Sequence, residues 1–237
     1  MIMDDDRKWL KINGMPDLWS WSQRNQNFFD LRMTAFRLKG GGISVFSPVP
    51  DLGEKTLAEL DSFGPVTSII APNYFHNLGV KPFRVRYPEA KLFAHEKAIP
   101  RLEKVTGLNF VNVDELKDFL PDGLEMVFPS GLKQGEIWLY AKSKGDNPGL
   151  LAVCDCYFNM RPGKSYLLDK VFRIANTYPG LRVSRVFSYT AVSDRLSYQE
   201  WIEKFLGANQ PTILVPSHGE IYQSPMLAKE LIALVCK

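Results

Sequence analysis

The chain is poor in the residues that most often form cross-links or bind metals. Its 237 residues include only three cysteines and three histidines. An odd, small number of cysteines does not indicate a disulfide scaffold, so we expect a reducing, cytoplasmic compartment. The first ten residues, MIMDDDRKWL, are acidic and lack an apolar segment, so we expect no secretory signal. The longest apolar runs, such as LLAV and TILV, have the length of strands, and we expect no membrane span.

An excess of charge of one sign is missing as well. The 29 basic and 26 acidic residues leave a net charge of +3, whereas nucleic-acid binding usually needs a concentrated basic face. Two catalytic motifs are also absent. No G-x-S-x-G elbow of a serine hydrolase occurs, and the strings KGGG and RPGK lack the strand, GxxxxGK(S/T) and helix order of a P-loop. We therefore expect a small molecule as substrate or ligand, and neither nucleic acid nor membrane as partner.

The composition nevertheless supports a folded core. With 45% hydrophobic residues, the length fits one α/β domain over residues 1–237. Residues 1–28 carry three tryptophans without a regular period, which predicts an irregular N-terminal arm packed by aromatic rings. A β-hairpin with the turn KGGG follows, and strands and helices then alternate up to the amphipathic segment SPMLAKELIALV. Pro100 is expected to kink or split one helix, and Ser197 with Glu200 matches a capping box at the start of another.

Three polar residues follow apolar strands at their C-terminal ends. They are His76 in VTSIIAPNYFHN, Asp155 in LLAVCDCYF and His218 in TILVPSHGE. In layered α/β folds, ligands bind beyond the carboxyl ends of the strands, because the loops converge there. Two imidazoles and one carboxylate suit a divalent transition metal, either zinc or, as in the facial triad of non-haem iron proteins, iron. Such a set leaves room for a water whose pKa the metal lowers to about 7.

The same residues also have simpler interpretations. A histidine at a strand end is often a hydrogen-bonded structural residue, and the three residues can form a metal-free cluster in which the carboxylate orients one imidazole. Cys154 and Cys156 flank Asp155, and side chains two residues apart on a strand share a face, which predicts a buried pair of thiols. His95 in LFAHEKA has no partner pattern, and we expect it at a helix start or on the surface.

Several strings resemble segments of the metallo-β-lactamase superfamily, and the resemblance runs from about Thr34 to the C-terminus. LAELDSFGPVTSIIAPNYFHNLG is similar to the helix and strand that lead into the superfamily motif HxHxDHxxG. VFPSGLKQGEIWLY resembles the segment with the ligand string GHTPGS, LLAVCD the strand before the metal-bridging aspartate, and VPSHGE the strand before the last histidine. The resemblance implies a four-layer αββα sandwich, an α/β fold that in most members carries a two-metal hydrolase site.

The resemblance breaks down at the ligands of the first metal. Placing Gly79 on the glycine of the motif puts Pro72 and Tyr74 at the first two histidine positions. Gly131 stands at the third, in the segment that resembles GHTPGS. With all three ligands replaced, the resemblance implies that this metal is absent and that a two-metal hydrolase is excluded. Tyr74 can close the cavity, donate a hydrogen bond to a substrate, or simply pack.

The ligands of the second metal are better matched. Asp155 and His218 agree with the superfamily. His76 replaces the aspartate of the motif with another donor, and Asn77 replaces the next histidine with an amide oxygen, which is a weak ligand. The resemblance therefore implies a mononuclear metal-dependent hydrolase of unknown substrate, or a related lyase or oxidoreductase, with a metal-bound water as nucleophile. The alternative is a metal-free, non-catalytic descendant of the fold that binds a small molecule or a protein.

Overall fold

The computed structural model describes residues 8–12, 17–23, 30–145, 148–161 and 166–236. Of the turn string RPGK, which spans residues 161–164, only Arg161 belongs to the described residues. The chain divides into two compact units, the first made of residues 1–23 and 32–121 and the second of residues 24–31 and 122–237. The single domain expected over residues 1–237 stays a prediction.

The first unit contains a mixed β-sheet. Its seven described strands follow the order of the sequence, with the bounds β1 Leu10–Lys11, β2 Leu18–Gln23, β3 Leu31–Arg37, β4 Ile43–Phe46, β5 Val66–Ile70, β6 Lys91–Ala94 and β7 Val111–Asn112. β1 with β2 and β3 with β4 pair antiparallel, whereas β4 to β7 run parallel. The predicted hairpin around KGGG is the β3–β4 pair. β4 is buried at every residue, including the polar Ser44, because it lies inside the sheet between β3 and β5.

Three α-helices and a 3₁₀ helix belong to this unit. They are α1 Glu54–Phe63, α2 Val80–Arg86, α3 Ile99–Thr106 and the 3₁₀ helix Val113–Phe119. α1 ends at Gly64, whose φ of +139° few other residues adopt. Pro100 neither kinks nor splits α3, because it lies in the first turn, where no intrahelical hydrogen bond needs its N–H.

The described part of the N-terminal arm is not irregular, which corrects the expectation for residues 1–28. β2 is a six-residue strand that extends the sheet of the first unit. The expected aromatic packing is present: the ring of Trp19 stacks on Phe63 with centroids 4.3 Å apart, and Trp9 meets the same ring edge-on at 5.7 Å. These rings hold β2 and its neighbourhood against α1.

The second unit contains a five-stranded sheet and a separate pair of strands. The bounds are β8 Leu124–Val127, β9 Trp138–Ala141, β10 Leu150–Val153, β11 Phe158–Met160, β12 Gly180–Arg182, β13 Ile213–Pro216 and β14 Tyr222–Gln223. The sheet has the order β14-β13-β10-β9-β8, and β11 pairs with β12. β10 and β13 run parallel, with Val153 opposite Pro216 in the last pair. Their carboxyl ends therefore lie side by side.

Four helices complete the second unit: α4 Tyr166–Ile174, α5 Arg185–Thr190, α6 Arg195–Asn209 and α7 Leu227–Val235. α6 and α7 cover a core that includes Trp138, Tyr157 and Leu231. The predicted capping box of Ser197 and Glu200 is wrong. α6 begins two residues earlier, because the carboxylate of Asp194 accepts the backbone N–H of Ser197 and caps the helix. No helix within the described ranges is long and apolar enough to cross a lipid bilayer.

Candidate metal centre

His76 lies in the loop that joins β5 to α2. The loop is folded around the fully buried Asn73, whose Oδ1 accepts the N–H of Phe75 at 2.8 Å and that of His76 at 3.2 Å. The hydroxyl of Ser47, which directly follows β4, lies 3.1 Å from Nδ1 of His76. Backbone and ring of His76 are thus both held by hydrogen bonds. An asparagine after Pro72 is a typical turn signal that points to Asn73, whereas nothing in the sequence indicates Ser47.

The two weaker candidates of this loop make contacts within it. Asn77 Nδ2 donates to the carbonyl oxygens of Tyr74 and Phe75 at 3.3 and 3.2 Å, so that the side-chain amide closes the loop. The ring of Tyr74 packs edge-on against Phe75 with centroids 4.5 Å apart, and the guanidinium of Arg101 lies 4.9 Å from its centre. These contacts favour the packing interpretation of Tyr74.

Asp155 and His218 follow the paired ends of β10 and β13. Each residue lies two positions beyond the last residue of its strand, and the N–H of Ser217 still donates to the carbonyl oxygen of Val153 at 2.8 Å. The parallel register therefore delivers both side chains to one place. Asp155 Oδ1 and His218 Nε2 are 3.0 Å apart, and the side chains are 17% and 6% exposed. The two residues form the carboxylate–imidazole pair that the sequence suggested.

Residues around β11 hold His218 in place. The ring of Phe158 stacks on the imidazole with centroids 4.7 Å apart and planes 4° from parallel. Asn159 donates its backbone N–H to the carbonyl oxygen of His218 at 3.1 Å and accepts the N–H of Glu220 at 2.8 Å. Gly219 has a φ of +101°, and a Cβ there would lie 2.1 Å from the carbonyl oxygen of Asn159. Sequence reasoning missed these partners because the two segments lie about 60 residues apart in the chain.

The predicted ligands belong to two different units of the chain. Asp155 and His218 pair within the second unit, whereas His76 lies in the first. The complete set of three ligands therefore stays a prediction. Two nitrogen donors and one anionic oxygen fit a divalent transition metal. His95, the third histidine, lies in the turn between β6 and α3, where its Nδ1 accepts the N–H of Lys97.

Solved structures of other proteins resemble this arrangement of strands and helices. A metallo-β-lactamase from Pontibacter korlensis superposes with a TM-score of 0.59 and 14% sequence identity, over 97% of this chain and 99% of that one. A metallo-β-lactamase from Hirschia baltica gives a TM-score of 0.57 with 14% identity, over 96% and 97% of the two chains. The chain has a metallo-β-lactamase-like fold. At this level of identity the likeness concerns the fold alone, and it confirms the predicted fold class.

Two further comparisons refine this statement. A variant of a flavo-di-iron protein from Thermotoga maritima matches with a TM-score of 0.58 and 14% identity, over 96% of this chain but only 60% of that protein. A family model described as a domain of unknown function (DUF4336) matches residues 17–99, a range that includes the His76 loop. No curated protein sequence matches the chain significantly.

Residue 131 is the position at which the sequence resemblance places a histidine ligand of the first metal. Backbone atoms of Asp194 and Tyr198 fill the space beside it. Gly131 has a φ of +74°, and a Cβ there would lie 2.2 Å from the carbonyl oxygen of Asp194 and 2.8 Å from the nitrogen of Tyr198. Gly79, on the glycine of the motif, is similarly confined, since its Cβ would lie 2.0 Å from the carbonyl oxygen of Pro48. The chain at residue 131 therefore has no room for a side chain of any kind.

The two cysteines beside Asp155 are fully buried, as predicted. Burial raises the pKa of the Cys154 thiol well above its usual value, and the negative charges of Asp155 and Glu136 add to the effect. The pKa of Cys156 is raised for the same reasons, burial first and Glu136 second. Both residues are therefore neutral thiols at physiological pH, which is the form that does not bind metal.

We expect a thiol reagent to distinguish the third cysteine from this pair. Cys236 is exposed, and partial burial together with a hydrogen bond to Glu203 raises its pKa to about 11. In the native protein at pH 8, 5,5′-dithiobis(2-nitrobenzoate) should modify Cys236 alone and slowly, because only about one thiol in a thousand is ionised. The rate should rise about tenfold per pH unit. Rapid modification of two or three thiols without denaturant would contradict this assignment.

Proposed function

We propose that the protein binds one divalent transition metal, zinc or iron, through His76, Asp155 and His218. The observation that supports the proposal most directly is the pairing of Asp155 Oδ1 with His218 Nε2 at 3.0 Å, at the parallel ends of β10 and β13. Two imidazole nitrogens and one carboxylate oxygen form a set that such ions prefer. The names of structural relatives, metallo-β-lactamase and flavo-di-iron protein, also refer to metals. Asn77 remains a weak additional candidate, since its amide nitrogen donates to carbonyl groups of its own loop.

The reaction that fits this centre is hydrolysis of a small molecule. A bound ion would supply a water acidic enough to act as a nucleophile near neutral pH. Asp155 contributes the negative charge among the three ligands. Ser47 orients the ring of His76, and Phe158 fixes the plane of the His218 ring. The chain thus provides rigid positions for the ligands, which is the main contribution of a protein to such a centre.

A second candidate function is a metal-free one, in which the fold binds a small molecule or a protein without catalysis. The hydrogen bonds themselves favour it, because Asp155 already pairs with His218 at 3.0 Å and Ser47 with His76 at 3.1 Å. An imidazole nitrogen that donates to a carboxylate carries a proton, and a metal must displace this proton to bind there. The two candidates therefore differ in one measurable property, which is metal uptake.

Metal analysis of protein purified without chelator tests the proposal. After incubation with zinc, iron(II) or manganese and removal of free ion, we expect about one equivalent of one metal per chain and a higher melting temperature, because the ion binds the folded state. A metal content below about a tenth of an equivalent with all three ions, and an unchanged melting temperature, would favour the metal-free candidate.

A further inference from the structure

A buried glutamate contacts the residue that follows Asp155. Glu136 is 2% exposed and lies two residues before β9. Its Oε1 accepts the backbone N–H of Cys156 at 3.3 Å and the indole N–H of Trp138 at 3.2 Å, and its Oε2 accepts the side-chain amide of Gln134. A carboxylate is costly to bury unless donors surround it. Donors from three residues surround this one, so the chain builds a specific environment for Glu136.

Glu136 supplies the acceptor for the backbone N–H of Cys156, which lies beyond the end of strand β10. β10 ends at Val153, and residues 154–156 form a bend beyond it. A buried backbone N–H outside the ladder needs another acceptor, and that of Cys156 finds one in Glu136. On the other side of the bend, the carbonyl oxygen of Val153 accepts the backbone N–H of Ser217 at 2.8 Å. The bend that carries Asp155 is therefore held at both ends by hydrogen bonds.

We infer that Glu136 is a positioning residue, which fixes the bend at residues 154–156 so that the carboxylate of Asp155 meets the ring of His218. Glu136 acts through its acceptor oxygen on Cys156, not through its charge. The consequence for metal binding rests on the proposed function. The position of Asp155 does not, since its 3.0 Å contact with His218 joins two side chains of the protein itself.

Two substitutions separate the acceptor from the charge. Glu136→Leu keeps a similar size but leaves the N–H groups of Cys156 and Trp138 buried without this acceptor. Glu136→Gln removes the charge and keeps one oxygen for both groups. The introduced amide can then donate to Oε1 of Gln134, a buried oxygen that has no hydrogen-bond partner, once the Gln134 amide turns over. The glutamine variant should therefore preserve the bend, and the leucine variant should not.

Hydrogen exchange of the metal-free protein reports the bend directly. At the amide of Cys156, we expect exchange at least about tenfold faster in Glu136→Leu than in the wild type, and within about threefold of the wild type in Glu136→Gln. Tyr157→Phe is the matched control. It removes a buried hydrogen bond from the same core, between the Tyr157 hydroxyl and the carbonyl oxygen of Leu231. The control should lower the melting temperature and leave exchange at Cys156 unchanged.

Metal titration of the same variants gives the second measurement. We expect Glu136→Leu to raise the dissociation constant of the preferred ion about 10- to 100-fold, as loss of an outer-shell partner commonly does. Glu136→Gln and Tyr157→Phe should stay within about threefold of the wild type. Each dissociation constant is to be measured on a variant whose melting curve shows a folded protein.

The outcomes decide two separate questions. An unchanged exchange rate at the Cys156 amide in a folded Glu136→Leu variant would overturn the inference. An exchange rate in Glu136→Gln as fast as that in Glu136→Leu would overturn it as well. If the wild type takes up no metal, the proposed function fails, and the exchange data alone decide the role of Glu136. If the leucine variant does not fold, the glutamine variant decides: faster exchange at Cys156 overturns the inference, and wild-type exchange supports it.

Discussion

The Gly131→Ala variant is expected to lose about 3 kcal/mol or more of its free energy of unfolding, because backbone strain and a steric clash act together. Gly131 has a φ of +74°, which costs an alanine about 1 kcal/mol. The added Cβ would lie 2.2 Å from the carbonyl oxygen of Asp194 and 2.8 Å from the nitrogen of Tyr198. Both are backbone atoms at the start of α6, and they cannot swing aside as a flexible side chain can.

A second glycine of the same unit supplies the control. Gly123 has a similar φ of +85°, but a Cβ there would meet nothing within 4 Å. Gly123→Ala should therefore lose only the strain contribution, about 1 kcal/mol. Equilibrium unfolding in guanidinium chloride measures both losses, provided that the slopes with denaturant agree. Equal losses in the two variants would mean that the start of α6 yields to the added carbon, contrary to the expectation.

The same clash concerns a histidine at residue 131. The sequence resemblance places a histidine ligand of the first metal at residue 131, and a histidine there would introduce the same Cβ as alanine. Restoring the ligand therefore requires a shift of the turn before α6 as well as a new side chain. The backbone at residue 131 therefore agrees with the expectation from the resemblance that this ligand of the first metal is missing.

The strands and the fold could be predicted from the sequence because their signals are local. The apolar runs LLAV and ILV, for example, lie in the buried strands β10 and β13, which pair parallel. The errors arose where two local signals compete. Asp194 and Ser197 are both residue types that cap helices, and Asp194 is the N-cap of α6. The strand β2 was missed because its tryptophans follow no regular period, and their ring partner, Phe63 of α1, is distant in the sequence.

The site was predictable only in part. The rule that ligands gather beyond the carboxyl ends of parallel strands identified Asp155 and His218, since β10 and β13 are neighbours with the register that the rule requires. The residues that orient them were not predictable. Ser47, Asn159 and Glu136 act through single contacts between segments that are distant in the sequence. Such contacts depend on the folded register and leave no periodic pattern in one chain.

Removing the carboxylate of Asp155 is expected to have the largest effect on the proposed metal centre. Asp155→Ala should raise the dissociation constant for the bound ion about 1000-fold or more, because it deletes the one anionic ligand and leaves two neutral imidazoles. Asp155→Asn keeps the shape and an amide oxygen but loses the charge, so its constant should fall between those of the alanine variant and the wild type. Competition with a chromophoric chelator measures all three constants.

His95→Ala is the matched control for this series, since it removes a histidine of the first unit that is not one of the proposed ligands. It should bind the ion as tightly as the wild type. Loss of metal in His95→Ala would indicate that the ion sits elsewhere on the surface. Full metal uptake by a folded Asp155→Ala would remove the anionic ligand from the proposal. In that case neither the charge of the carboxylate nor its hydrogen bond to His218 would contribute to binding of the ion.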